Sequence, residues 1–169
     1  MRDDTGVPGS RDDLVFAPAE ADAPPADALI EAMIAEVAAL YGSRLDVPGK
    51  PTAPPEQLRP EAGGICLVGR LDGEPVAVGA VKRLGDEVCE IKRMYVAPEA
   101  RGRGVARALL VALEDAARSL GYARARLDTG PDQPHAKALY LATGYTEIPD
   151  YNGNPDASFW AEKPLSAAG

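Results

Sequence analysis

The chain has 169 residues, 46% hydrophobic and 26% charged, which suits one domain whose core needs neither disulfides nor a metal to hold it. Its net charge of −8 argues against nonspecific nucleic-acid binding, and no apolar run reaches the roughly 18–20 residues of a membrane span. Met1-Arg2-Asp3-Asp4 leads into no apolar segment, so no secretory leader is expected and the expected compartment is the cytoplasm.

Residues 1–25 read as a mobile acidic arm, rich in Asp, Pro, Ala and Gly. Residues 1–31 carry eight acids against Arg2 and Arg11, which is −6 of the −8, so the remaining chain is nearly neutral. The arm's one apolar island, Leu14-Val15-Phe16, either adds a short strand or rests on the surface. Residues 26–169 read as a single domain. Leu29, Ile30, Met33, Ile34, Val37, Leu40 and Tyr41 share one helical face, with Pro25 suited to the first turn and Gly42 to the end. Residues 43–64 hold Pro48, Pro51, Pro54, Pro55 and Pro60 and read as a long connection, with a short helical turn near Pro55–Leu58.

Three strands follow: Ile65–Leu71, Pro75–Arg83 and Val88–Val96. Asp72-Gly73 and Gly85-Asp86 are tight-turn signals between them, so the three form an antiparallel meander. Val105, Leu109, Leu110, Leu113, Ala116, Ala117 and Leu120 mark a second amphipathic helix, closed by Gly121. A strand over Tyr122–Asp128, a helix over Pro134–Thr143, and strands over Tyr145–Ile148 and Ser158–Lys163 complete the order. The fold class is α+β: a mostly antiparallel sheet with one strand–helix–strand crossover. Cys66 and Cys89 each sit in an apolar strand and read as small buried hydrophobes rather than a disulfide. With His135 as the single histidine, no metal site is expected.

The chemistry concentrates where the third strand ends. Glu90-Ile-Lys-Arg-Met-Tyr-Val96-Ala-Pro98 runs into Glu99-Ala-Arg101-Gly102-Arg103-Gly104-Val105-Ala106, a strand, a proline stop, a glycine loop and a helix. Glycines there let backbone N–H groups approach a ligand, and the free N–H groups and dipole of a helix start favour phosphate. Arg101 and Arg103 add positive charge around it. The loop is not a P-loop, because no Lys-Ser or Lys-Thr follows it. It is not a dinucleotide fingerprint either, because Arg107 stands where the third glycine belongs. The plainer reading is a flexible turn before a helix.

The loop does not stand alone. Arg101, Gly104 and Ala106 match an Arg/Gln-x-x-Gly-x-Gly/Ala signature, and further on the chain reads Gln133-Pro-His135-Ala136-Lys-Ala-Leu-Tyr140-Leu-Ala-Thr-Gly144-Tyr145. On these residues, and on its order of elements, the chain resembles the GNAT superfamily of acyl-CoA-dependent N-acetyltransferases over about residues 27–165. Gln133 stands where that family usually has Asn.

The resemblance implies a GNAT-like sheet in which Val88–Val96 splays from its one parallel neighbour and flanking helices cover the faces. It implies acetyl-CoA as co-substrate. The pantetheine arm would enter the gap along Met94-Tyr95-Val96, bonded by backbone groups of Met94 and Val96, one N–H polarising the thioester carbonyl. The pyrophosphate would lie on the N–H groups of Arg101, Gly102, Arg103, Gly104, Val105 and Ala106. Gln133 would bond the cofactor or the neighbouring helix.

Tyr140 holds the position that protonates the departing thiolate in the family; its plainer reading is a helix residue packed beside Leu139. Glu90 is the candidate base, direct or through water. Strand alternation puts it on the face of Val88, Met94 and Val96, where an unpaired carboxylate is costly; a pair with Lys92 is the structural alternative. His135 is a second titrating candidate at a helix start. Tyr151-Asn152-Gly153-Asn154-Pro155 reads as a turn that could line the acceptor pocket or a dimer contact.

The expected function is direct acetyl transfer in a ternary complex to the primary amine of a small molecule or peptide, by a monomer or homodimer. The alternative is a catalytically silent acyl-CoA-sensing or partner-binding module on the same fold.

Overall fold

The computed structural model describes residues 13–41 and 53–165. Seven strands form one sheet in the order β1-β2-β3-β4-β5-β7-β6. They are β1 (Leu14–Pro18), β2 (Ile65–Leu71), β3 (Glu74–Arg83), β4 (Val88–Val96), β5 (Arg124–Thr129), β6 (Thr146–Ile148) and β7 (Phe159–Pro164). The helices are α1 (Ala26–Tyr41), α2 (Val105–Ser119) and α3 (Pro134–Ala142). Among the described residues no helix is long and apolar enough to cross a membrane.

The expected order of elements stands, with one addition at the edge. The Leu14–Phe16 island forms β1, antiparallel to β2 with Leu14 opposite Leu71 and Phe16 opposite Gly69. The expected mobile arm is therefore built into the sheet from Leu14 onward, because Phe16 packs where Gly69 leaves room: a Cβ on Gly69 would meet its ring at 2.6 Å. Residues 1–12 of that arm, and residues 42–52 of the proline-rich connection, lie outside the described residues. The short turn at Pro55–Leu58 is present as one turn of 3-10 helix.

The meander is set by local turn chemistry. Asp72 and Gly73 adopt φ +53° and +84°, the mirror-image turn that matches the twist of a hairpin. The two faces of the central strands then carry two cores. Ala77 and Val81 pack with Leu109, Leu110 and Leu113 of α2, while Val78 and Ala80 pack with Ala26, Leu29 and Ile30 of α1. Helix α2 lies so close that a Cβ on Gly79 would meet Leu113 at 2.7 Å. Leu109 and Leu113 are fully buried there; trimming either to Ala would cost about 2–5 kcal/mol.

Strand β4 departs from simple alternation. Between Lys92 and Tyr95 its register against β3 slips, so that Gly79 faces two residues, and Arg93 takes φ +60°. Before this bulge Glu90 and Lys92 stand opposite Lys82 and Ala80, on the α1 face. After it Val96 stands opposite Ala77, on the α2 face. The expectation that Glu90 shares a face with Met94 and Val96 is thus corrected: the extra residue reverses the alternation between them.

Candidate active site

Strand β4 pairs with β5 in parallel over three positions only, Val88 with Arg124, Cys89 with Ala125 and Glu90 with Arg126. Beyond Glu90 the two strands part, so Met94-Tyr95-Val96 lies on one lip of a fork with backbone groups not taken up by β5. Beside that lip opens a cavity of about 860 Å³, walled also by the glycine loop, α1, α2 and α3. Of the expected cofactor residues, all but Arg103 line it; neither Arg103 nor Glu90 is part of its wall.

The glycine loop is shaped for backbone donation. Pro98–Ala100 makes one turn of 3-10 helix, and Gly102 and Gly104 then take φ +78° and +79°. A Cβ at either glycine would meet no atom within 4 Å, so the backbone angle, not crowding, requires glycine. Gly104 is the N-cap of α2 and provides no side-chain cap, so the first-turn N–H groups, on residues that line the cavity, receive no bond from the capping residue. Such an end attracts an anion.

The Arg101 side chain is engaged within the protein. Its Nε donates to the Val96 carbonyl at 2.9 Å, its Nη2 pairs with both carboxylate oxygens of Glu36 at 2.7 and 2.9 Å, and its guanidinium lies 5.7 Å from the Tyr95 ring centre. The arginine ties the lip of the fork to α1, and its charge is already matched by a carboxylate.

Helix α3 brings Tyr140 to the fork. The ring is 7% exposed, stands edge-on to Tyr145 at 5.8 Å, and its hydroxyl donates to the Met94 sulfur at 3.8 Å. Burial, with a smaller push from the Asp128 carboxylate, raises the phenol to about 12, so it stays a donor at any ordinary pH. Gln133, at the start of α3, accepts from the Thr129 hydroxyl at 2.9 Å. His135 is exposed at the rim of the cavity.

Glu90 sits at the root of the fork and is 3% exposed. Its Oε1 pairs with Lys92 at 3.0 Å; its Oε2 accepts from the Tyr151 hydroxyl at 2.6 Å and from Asn152 Nδ2 at 3.3 Å. Burial alone would raise this carboxyl; Lys92 and the Tyr151 and Asn152 donors outweigh it and hold the group below its ordinary value. Burial and Glu90 together push the Tyr151 phenol far up. Asn152 is fixed in one orientation, because its Oδ1 accepts from Trp160 Nε1 at 2.9 Å while Nδ2 also reaches Asp128 at 2.5 Å. The composition of this segment predicts a turn that could line the acceptor pocket or a dimer contact, and the structure lays it over Glu90. The signal available was the composition of residues 151–155, which says turn and does not say which strand the turn covers. Among the described residues no cluster of His, Cys, Asp or Glu is placed to hold a metal ion.

A model of the Acetyltransferase (GNAT) family matches residues 32–145. The N-acetyltransferase YjgM of Escherichia coli K12, itself uncharacterized, is 34% identical over 130 residues, spanning 72% of this chain and 77% of its own. A Klebsiella pneumoniae protein described as an acyl-CoA N-acyltransferase superposes with a TM-score of 0.71 at 30% identity, covering 90% of this chain and 98% of that one. A GNAT family acetyltransferase from Elizabethkingia anophelis, solved with acetyl-CoA bound, shares the fold at a TM-score of 0.63 and 16% identity, covering 91% of this chain and 99% of its own.

Proposed function

The chain belongs to the GNAT acetyltransferase family, and from that premise we propose that it moves an acetyl group from acetyl-CoA directly to a primary amine while both are bound. The observation that carries this reading is the shared cavity: the fork lip Met94–Val96, the glycine loop and Tyr140 all open onto one space.

In this reading the diphosphate of acetyl-CoA lies on the N–H groups from Gly102 to Ala106, at the positive end of α2. The pantetheine arm runs along β4, where the parted strand offers it hydrogen bonds as a sheet neighbour would. A backbone N–H of the Met94–Val96 lip bonds the thioester oxygen as negative charge builds on it. Holding amine and thioester in one cleft lowers the barrier through proximity.

Two side chains then carry the protons. The amine must lose a proton before it attacks, and Glu90 is the carboxylate that takes it, through intervening atoms because the group is sealed from the cavity. The amine nitrogen forms its bond to the acetyl carbon and the carbon–sulfur bond breaks. Tyr140 donates its proton to the leaving sulfur and recovers one from the nitrogen, whose second proton is shed as the amide forms; the Tyr140 hydroxyl already points at a sulfur atom, that of Met94. The acceptor class is a small-molecule or peptide amine.

The test is a panel. Release of free CoA from acetyl-CoA is followed with polyamines, amino acids, aminoglycosides and short peptides, with mass spectrometry of the product. Turnover giving an N-acetyl product supports the reading. No turnover with any class, with acetyl-CoA still bound, returns the chain to a silent acyl-CoA-sensing module.

A further inference from the structure

Glu90 poses a problem of access, and its neighbours offer the solution. The carboxylate is 3% exposed and forms no part of the cavity wall. Oxygen Oε2 already accepts two donors, and Oε1 faces an ammonium. An acceptor nitrogen therefore has no route to Oε2 except through one of the groups that cover it.

The covering groups differ in what they can do. Lys92 and the Asn152 amide nitrogen only donate; neither can accept a proton from an ammonium and pass one on. A phenol hydroxyl can do both, since its oxygen keeps lone pairs while its hydrogen is donated. Tyr151 is half-buried with its hydroxyl 2.6 Å from Glu90 Oε2, and like Glu90 it stands outside the residues that line the cavity, so the amine would meet it at the root of the fork. Its ring is held in place by the Arg126 guanidinium, 5.4 Å from the ring centre, and Arg126 is fixed in turn by Glu162 at 3.0 Å. The backbone behind it is locked by Asp150, which accepts from the N–H groups of Asn152 and Gly153 at 3.0 and 2.7 Å.

We propose that Tyr151 is the proton relay of this site, joining the acceptor amine to Glu90 across the root of the β4–β5 fork. As the acceptor's N–H bond breaks, directly or through one water, its proton bonds to the Tyr151 oxygen. The Tyr151 O–H bond breaks in the same step and that proton bonds to Glu90 Oε2. The amine is left neutral with a lone pair, Tyr151 is again a neutral phenol, and Glu90 is a carboxylic acid that gives its proton up through Tyr151 to solvent once the amide product has left. The charged groups around Glu90 are Lys92 on β4, Lys82 opposite it on β3, and Arg126 and Asp128 on β5, with Glu162 of β7 beyond Arg126. The relay rests on the reading of Glu90 as base given above.

The test compares Tyr151→Phe with Glu90→Gln, using spermidine or the best amine of the panel. Phe keeps the ring under Arg126 and removes only the hydroxyl. The relay predicts a fall of about 10²-fold in kcat/KM for the amine in Tyr151→Phe, measured above the acid limb, with acetyl-CoA affinity unchanged and the melting temperature lowered only modestly by the donor lost to the buried Glu90. It also predicts that the acid limb of the pH profile moves to higher pH, because Glu90 loses a donor that favoured its charged form. A Tyr151 that only holds Glu90 in place would move the limb equally, but would leave the plateau rate above the limb within a few-fold of wild type. 3-Fluorotyrosine at 151 keeps the fold and the hydroxyl, and the relay requires its more acidic phenol to change the rate. If Glu90→Gln is slow while both Tyr151 variants run at full rate with an unmoved limb, the relay is wrong and the base reading survives. Full activity in Glu90→Gln, or no turnover with any amine, removes the base reading and the relay with it.

Discussion

Arg101 grips Glu36 with two hydrogen bonds of 2.7 and 2.9 Å, so the residue that opens the glycine loop is also the residue that ties the loop to α1. A bound diphosphate has to share or replace that carboxylate. Glu36→Gln should therefore tighten acetyl-CoA binding by about 3–10-fold, more at 20 mM than at 300 mM salt, since the gain is one of charge. Both side chains are more than 40% exposed, so the loss of the pair should change stability by under about 0.5 kcal/mol. Calorimetric titration at the two salt concentrations checks it; weaker binding would mean that Glu36 holds Arg101 in its useful position.

Gly104 separates backbone strain from crowding. Its φ of +79° disfavours any side chain, yet a Cβ there would touch nothing. Gly104→Ala should cost about 1–2 kcal/mol from the left-handed conformation alone, and Gly104→Asn less, because Asn tolerates that region better. Gly104→Glu adds a negative charge at the anion site and should abolish acetyl-CoA binding. Urea denaturation and calorimetry read the two effects separately. Unaltered binding in Gly104→Glu would remove the anion site from this loop.

What could be read from the sequence was what neighbours along the chain decide. Asp72-Gly73 specifies a hairpin by its own backbone preferences, and the leucines of α2 declare a face by their spacing. The glycine loop was legible for the same reason, since its chemistry belongs to consecutive backbone N–H groups. The bulge at Arg93 was not, because an arginine carries no preference for φ +60° and the slip arises from pairing with β3 across Gly79. One hidden residue of slip was enough to misplace Glu90 relative to Met94. The partners of Glu90 were equally hidden: Tyr151 and Asn152 lie 61 and 62 positions away, and only the fold lays their turn over the fork. Glu36 and Arg101, 65 apart, are the same case.

Tyr140→Phe should lower kcat by about 10²-fold and leave acetyl-CoA affinity unchanged, since the hydroxyl's contact in the free protein is a weak one to the Met94 sulfur. As the proposed acid the phenol would work in its neutral form, which is lost only as pH rises through about 12. No fall in activity from Tyr140 is therefore expected up to pH 10. A pH–rate profile of wild type and variant checks both points. Equal turnover in the variant would take Tyr140 out of the mechanism.

Cys66 and Cys89 should be silent to thiol reagents while the chain is folded. Both are fully buried, and burial pushes their thiols up to about 11 and 12. The reactive thiolate is then scarce at pH 8, and a reagent cannot reach it. Ellman's reagent should titrate no thiol at these two positions in buffer and both in 6 M guanidinium chloride. Fast labelling of either in buffer would show that β2 or β4 opens readily.

Glu114 makes the sharpest stability prediction. It is 4% exposed on α2, and Lys163 of β7 reaches its two oxygens at 3.0 and 3.2 Å while the Tyr145 hydroxyl donates at 2.9 Å. These bonds join α2, the end of α3 and β7 beneath the sheet. Lys163→Met leaves a buried carboxylate with one neutral donor, and should destabilise by about 3–5 kcal/mol. The double variant Glu114→Leu, Lys163→Met removes both charges and their desolvation together, and should recover most of that loss. Because Tyr145 stands edge-on to Tyr140, the single variant should also slow turnover while the chain is still folded, by loosening the ring that supports the proposed acid. Denaturant melts of the two singles and the double give the coupling directly. If the double is as unstable as Lys163→Met alone, the cost lies in lost packing of the lysine stem and not in the orphaned charge.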